Sequence, residues 1–233
     1  MTEAPRTALV TGAGSGIGRA CAAVLAEDGH RVTLVGRRLA LLEVVAAAIP
    51  GALAVAADLA TDAGVGTAAD AAPERLHVLI HAAGAFRYGS LAETPTTAWQ
   101  ALDAVNLHGP LALTARCLPA LRRAGGTVVF VNSTAALRGG ANAGAYAAGK
   151  SALKAAADVL RQEVGPLGIR VLSIFPGRTD TPMQDAVLAA ENRTADRSTL
   201  LDPADVAAMV LAALRLPRRA EVTDITIRPS QPV

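Results

Sequence analysis

Tyr146 and Lys150 are separated by three small residues in Tyr146-Ala147-Ala148-Gly149-Lys150, early in a strong helical pattern, so their side chains share one face a turn apart. A phenol titrates near pH 10 and exchanges protons poorly at neutrality. An adjacent ammonium favours the phenolate, and moving the phenol toward 7 takes about 4 kcal/mol, within reach of one close, partly buried charge pair. Such a pair can act as general acid and general base at an oxygen. Composition sharpens the reading: of 22 basic residues only Lys150 and Lys154 are lysines, and only Tyr88 and Tyr146 are tyrosines. A second chemical locus is Thr11-Gly12-Ala13-Gly14-Ser15-Gly16-Ile17-Gly18. Its glycines permit a tight turn and close backbone approach to a diphosphate, which would rest on a helix N-terminus where amide donors and the dipole favour negative charge.

The elements that must position these loci alternate along the whole chain. Short apolar runs at 7–11, 31–35, 52–56, 76–81, 127–132, 169–174 and 222–227 read as strands, and several are apolar throughout, as strands covered on both faces are. Helical patterns lie between them near 17–29, 38–49, 61–72, 97–124, 145–164 and 203–215. Gly29 and Gly51 punctuate the first two helices, and Asp202-Pro203 supplies an N-cap and first-turn proline for the last. The expected architecture is α/β: a doubly wound, parallel, seven-stranded Rossmann-like sheet with helices on both faces, in a single domain spanning 1–233. The one long stretch without a regular pattern, 176–201, reads as a substrate lid.

The spacing Gly12-x-x-x-Gly16-x-Gly18, followed far downstream by Tyr146-x-x-x-Lys150, resembles the short-chain dehydrogenase/reductase family over nearly the whole chain. The resemblance implies a nicotinamide dinucleotide held by Gly12, Ser15, Gly16, Ile17 and Gly18, with Asp58 at the adenine and Gly84 in the turn after the fourth strand. Where the family's NAD-selecting acid would follow the second strand, this chain reads Val35-Gly36-Arg37-Arg38. Guanidinium groups match a ribose phosphate by charge and by their planar donor fork, so NADP(H) is expected over NAD(H), with Arg37 ahead of Arg38; a solvated helix start is the plainer alternative. The resemblance further implies that Tyr146 is the general acid for ketone reduction and the base for alcohol oxidation. Lys150 would lower its pKa and bind the nicotinamide ribose. Ser133, thirteen residues before Tyr146, would hydrogen-bond the reacting oxygen. Asn106 would position a water linking the lysine to solvent, or else it is a kink residue beside Gly109-Pro110. Pro176 and Gly177 match the family's Pro-Gly segment, with Thr181 reaching the cofactor. His81-Ala82-Ala83-Gly84 departs from the usual Asn-Asn-Ala-Gly, and His81 is expected to be a packed histidine.

Phe86, Leu137, Asn142, Met183, Val187 and Leu188 flank these segments and suggest a mainly apolar pocket for a small carbonyl or alcohol. Arg178 could answer a substrate carboxylate, or meet solvent or cofactor. One motif competes: Gly144-x-x-x-x-Gly149-Lys150-Ser151 satisfies the phosphate loop of nucleotide hydrolases and kinases, but that loop should follow a strand directly, whereas eleven residues separate it from Asn132. A binding-only NADP(H) sensor or scaffold on the same fold is the other alternative, against which the full set Asn106, Ser133, Tyr146 and Lys150 argues.

Composition bounds the remaining classes. The chain has 233 residues, 52% hydrophobic and 18% charged, enough to bury a core without metal or disulfides. A net charge of +2 with no basic run longer than a pair makes nucleic acid an unexpected partner. His30, His77, His81 and His108 offer no metal-ligand spacing, and Cys21 and Cys117 read as buried free thiols. Met1 to Arg6 lacks the apolar core of a signal peptide and no stretch is long and apolar enough to span a membrane, so a cytoplasmic location is expected. The apolar content of 97–124 and 145–164 exceeds what one sheet face needs, which points to a homodimer or homotetramer.

Overall fold

The computed structural model describes residues 5–231, so Met1 to Ala4, the first part of the segment read for a leader, lie outside it. Seven parallel strands form one sheet in the order β3-β2-β1-β4-β5-β6-β7. They are β1 (Thr7–Thr11), β2 (Arg31–Gly36), β3 (Leu53–Ala56), β4 (Val78–His81), β5 (Thr127–Val131), β6 (Arg170–Pro176) and β7 (Asp224–Ile227). The helices are α1 (Gly16–Glu27), α2 (Leu39–Ala47), α3 (Asp62–Asp70), α4 (Thr96–Asp103), α5 (Gly109–Ala124), α6 (Gly144–Val164), α7 (Pro182–Ala190) and α8 (Pro203–Leu214). The chain order reverses between β1 and β4, which opens a crevice at their carboxyl ends.

Alternate residues of each central strand feed opposite cores. Ala8, Val10, Val78, Ile80, Val129, Val131, Leu172 and Ile174 meet Cys21, Leu25, Leu42 and Val206 of α1, α2 and α8. Leu9, Leu79, Val128, Phe130 and Val171 meet Val65, Leu113, Leu121, Leu153 and Ala157 of α3, α5 and α6. This double cover explains why the strands are apolar throughout. Cys21 and Cys117 are free and buried, and burial pushes their thiols up to about 12 and about 11.

Strand ends differ from the sequence reading by a residue or two. Asn132 still bonds Ile174 O through its amide, and β6 runs on to Pro176 because β7 pairs with it there. Two differences are larger. The 176–201 segment is not irregular throughout, because Thr181 caps α7 inside it, accepting from Gln184 N with Pro182 in the first turn. The helix expected over 97–124 is broken by a π turn at Ala104–His108. Pro110 has no N–H to give Asn106 O and its ring would strike that carbonyl, so the helix widens there, and Gly109 N bonds back to Ala104 O.

Candidate active site

A cavity of about 480 Å³ opens at the carboxyl ends of β1, β2 and β4. Gly12, Ser15, Gly16, Ile17 and Gly18 form its floor. Gly12 has φ +65°, and a Cβ there would lie 2.6 Å from Ala82 O and Ala83 N. A Cβ on Gly18 would collide with the Gly12 carbonyl, so both must be glycine for the loop to fold back on α1. Ser15 occupies the N-cap of α1 without a side-chain capping bond, which leaves the first-turn amides to the cavity. That uncapped end, beside a floor without Cβ atoms, fits a diphosphate. Thr181 lies opposite: its Cγ2 would be 2.8 Å from a Cβ on Gly16.

Arg37, Arg38, Asp58 and Gly84 line the same cavity. Arg37 and Arg38 are exposed on its wall, and neither guanidinium has a partner among the described residues. Asp58 turns one carboxylate oxygen to Ala60 N at 3.1 Å. Thr11 Oγ1 accepts from Ala82 N and Ala83 N, and this fixes the turn that carries Gly84. Thr11 thus supplies side-chain bonding to a stretch that lacks the family's paired asparagines, while Asn132 links the two catalytic candidates: its Nδ2 donates to Lys150 O at 3.1 Å and its Oδ1 accepts from Ser133 N.

Lys150 is 4% exposed, and its Nζ donates to Val131 O at 2.9 Å. It lies 5.9 Å from the centroid of the Tyr146 ring, against which Phe86 packs edge-on at 5.2 Å. Burial lowers Lys150 to about 8, which leaves it mostly protonated at neutrality. The Tyr146 phenol moves opposite to the sequence expectation: burial pushes it up, and the neighbouring Ser133 hydroxyl only opposes the shift. Desolvation by the surrounding protein dominates the shift, and the Lys150 ammonium is engaged with the Val131 carbonyl.

A second cavity of about 300 Å³ adjoins the first and shares Ile17, Phe86, Asn132, Tyr146, Thr181 and Met183 with it. Ser133, Pro176, Gly177 and Val187 line this one, whereas Leu137, Asn142 and Leu188 line neither. Leu137 is 48% exposed, and Asn142, at φ 60°, donates to Tyr88 Oη instead. Tyr88 and Gln184 line the second cavity and were not expected there. Thr181-x-x-Gln184 is a capping-box spacing that could have located Gln184; nothing in the sequence marks Tyr88.

Asn106 is buried at the π turn and lines neither cavity, but it sits behind Gly84 and Ala85 of the larger one, with Oδ1 accepting from Ala85 N and Nδ2 donating to Ala85 O, each at 2.9 Å. It ties the loop after Gly84 to the helix. Asn106→Ala strips both bonds, so a loss of about 1 to 3 kcal/mol in unfolding free energy is expected; chemical denaturation checks it, and an unchanged midpoint contradicts the anchoring role.

His81 is a packed histidine. Thr114 gives its hydroxyl hydrogen to Pro110 O, so His81 Nε2 must donate to Thr114 Oγ1 at 2.8 Å, and the ring stacks on Phe130. Burial, reinforced by Lys150, lowers it to about 3. The phosphate-loop pattern at 144–151 is helical from Gly144 onward, so no loop exists there to wrap a phosphate.

The family pattern described as short chain dehydrogenase matches residues 6–192. The chain belongs to the short-chain dehydrogenase/reductase family. It is 33% identical over 230 residues to an uncharacterized oxidoreductase of Staphylococcus aureus (strain USA300), covering 96% of this chain and 97% of that one. Among solved structures it superimposes on a variant actinorhodin polyketide ketoreductase with NADPH at TM-score 0.90, with 26% identity over 97% of this chain and 96% of that one. A 3-ketoacyl-(acyl-carrier-protein) reductase from Brucella melitensis, complexed with NADH, superimposes at TM-score 0.86, with 28% identity and 97% of each chain covered. As a short-chain dehydrogenase the protein is an oxidoreductase on a Rossmann-like sheet. No helix among the described residues is long and apolar enough to cross a membrane, and no cluster of three or more His, Cys, Asp or Glu there could hold a metal ion.

Proposed function

We propose that this oxidoreductase uses NADP(H) to interconvert a carbonyl and a secondary alcohol, with Tyr146 as the proton-transfer residue. The observation that carries the reading is the placement of Tyr146 on the shared wall of two cavities, one fitting a dinucleotide and the other bearing Ser133. When bound, the nicotinamide supplies or accepts the hydride. In reduction, Tyr146 delivers the proton to the carbonyl oxygen, and the Ser133 hydroxyl steadies that oxygen as charge develops on it. In oxidation, Tyr146 takes the proton back. Lys150, anchored on Val131 O, keeps a positive charge under the site, favours the phenolate that reduction leaves behind, and holds the nicotinamide ribose. Pro176, Gly177 and Thr181 close the side of the site opposite the glycine loop, and the segment 176–201 acts as the substrate lid.

The ribose phosphate falls to Arg37, with Arg38 beside it, since both guanidiniums stand free on the wall of the larger cavity. NADPH is expected to bind roughly tenfold or more tightly than NADH, because a charge-assisted phosphate contact contributes about 1.5 to 3 kcal/mol. Titrating both cofactors by fluorescence decides this, and Arg37→Ala should bring the two affinities together. Equal affinities in the wild type, or an NADH preference unmoved by Arg37→Ala, overturn the assignment.

The same reading includes a cytoplasmic homodimer or homotetramer formed through α5 and α6, where Val159 is 54% exposed. Light scattering that gives a stable 23.6 kDa monomer at micromolar concentration contradicts it.

A further inference from the structure

Four buried side-chain polar atoms lack a partner among the described residues, and two of them, Arg178 Nη1 and Gln184 Nε2, belong to residues of the second cavity's wall. Gln184 is 7% exposed, in the first turn of α7. Arg178 follows the Pro176-Gly177 segment, and its Nη2 bonds both carboxylate oxygens of Glu191 at 2.7 and 2.9 Å. That fork pins the guanidinium while Nη1 stays bare. Buried donors are almost always satisfied, and a charged one left unsatisfied is the costliest kind, so such a pair is explained where a ligand brings the acceptor.

The charges around this end specify the acceptor. Arg178 and Arg138 line the cavity, and Arg138 is exposed with no ionic partner among the described residues. Glu191 is the one carboxylate on the wall, and besides Arg178 it has Arg193 Nη1 at 3.9 Å. Two guanidiniums, Arg178 and Arg193, thus stand beside the single carboxylate while a third, Arg138, lines the same cavity, and the field favours a further negative group. Tyr146 and Ser133 line the same cavity, so a molecule anchored here reaches the proposed reacting oxygen. Its volume of about 300 Å³ stands at the small end for ligand pockets.

We infer that the second cavity binds a carboxylate carried by the substrate, held by Arg178 Nη1 and Gln184 Nε2, so that the substrate class is a short oxo acid and its hydroxy acid. The inference rests on the carbonyl-reduction reading for the other end of the molecule, but not for carboxylate binding itself. It makes Arg178 and Gln184 specificity residues.

The test compares methyl ketones bearing a terminal carboxylate at increasing chain length, from 4-oxopentanoate to 7-oxooctanoate, with their methyl esters, in the presence of NADPH. The expected kcat/KM ratio of acid to ester is about tenfold or more for the best length, the scale of one charge-assisted hydrogen bond. Arg178→Met should bring that ratio to about one. Because Arg178→Met strands Glu191, the double change Arg178→Met, Glu191→Met removes the pair together and should give the same ratio; Gln184→Leu should lower it partway. Calorimetric titration of the unreactive hexanoate into enzyme with NADPH supplies a readout free of turnover. Ketone turnover with equal acid and ester ratios, or with a ratio that the double change leaves intact, overturns the inference and spares the oxidoreductase reading. Hexanoate binding that depends on Arg178, without turnover of any ketone, supports the carboxylate site and counts against the reaction proposed. The absence of both ketone turnover and hexanoate binding overturns the inference.

Discussion

Tyr146→Phe is expected to lower kcat for ketone reduction by at least about a hundredfold while NADPH still binds. The substitution keeps the ring that Phe86 packs against and removes only the hydroxyl beside Ser133. Burial already pushes the phenol up, so in the protein's own field the tyrosine is a firmly protonated acid at neutrality, as reduction requires. Phenylalanine has no proton to give. A binding-only sensor would reduce no carbonyl even as wild type, and a nucleotide hydrolase would be indifferent to the change. Full reductase activity in Tyr146→Phe contradicts the assignment.

Lys150→Arg is the companion experiment, and its strongest signature is in the pH profile. Burial disfavours the ammonium and lowers Lys150 to about 8, so its charge is present below that pH and is lost as pH rises through it. Reduction should therefore hold steady below neutrality and fall on an alkaline limb near pH 8 in the wild type. Arginine stays charged beyond pH 12 or so, which moves that limb to higher pH. Its wide planar fork does not fit the buried place where Nζ meets Val131 O, so turnover and cofactor affinity should each fall by about tenfold or more even where the limb is absent. Initial rates from about pH 6 to 10 check both effects. An alkaline limb in the same place in both proteins assigns that titration to another group.

Much of the scaffold was legible because local signals and tertiary packing agree here. Runs such as 78–80 are apolar throughout since both faces are covered, and Gly12 and Gly18 are glycines because backbone passes where a Cβ would sit. Tyr146 and Lys150 were legible through rarity: one of two tyrosines stands four residues before one of two lysines. The misses share a different cause. The short helix α7 carries little apolar periodicity and is started by Thr181, Pro182 and Gln184, so the 176–201 segment read as irregular. The π turn depends on Pro110 meeting the carbonyl of Asn106; Gly109-Pro110 marked a kink there as an alternative, but the apolar periodicity on both sides carried the helix reading through it. Arg178 finds Glu191 thirteen residues away across the end of α7, a pairing that sequence spacing cannot specify. The direction of the Tyr146 shift was missed because desolvation depends on everything that surrounds the ring, whereas the sequence displays only the neighbouring lysine.

Transfer of label from the cofactor tests the central claim most directly. Wild-type enzyme is supplied with NADPH carrying deuterium at both hydrogen positions of the reactive nicotinamide carbon and with a panel of ketones, and the alcohol products are analysed by mass spectrometry and NMR. The account predicts one deuterium at the carbinol carbon of the product for each NADPH consumed, with the proton on oxygen coming from solvent by way of Tyr146. NADPH that binds tightly but is never consumed, or an alcohol that forms without the label, contradicts it.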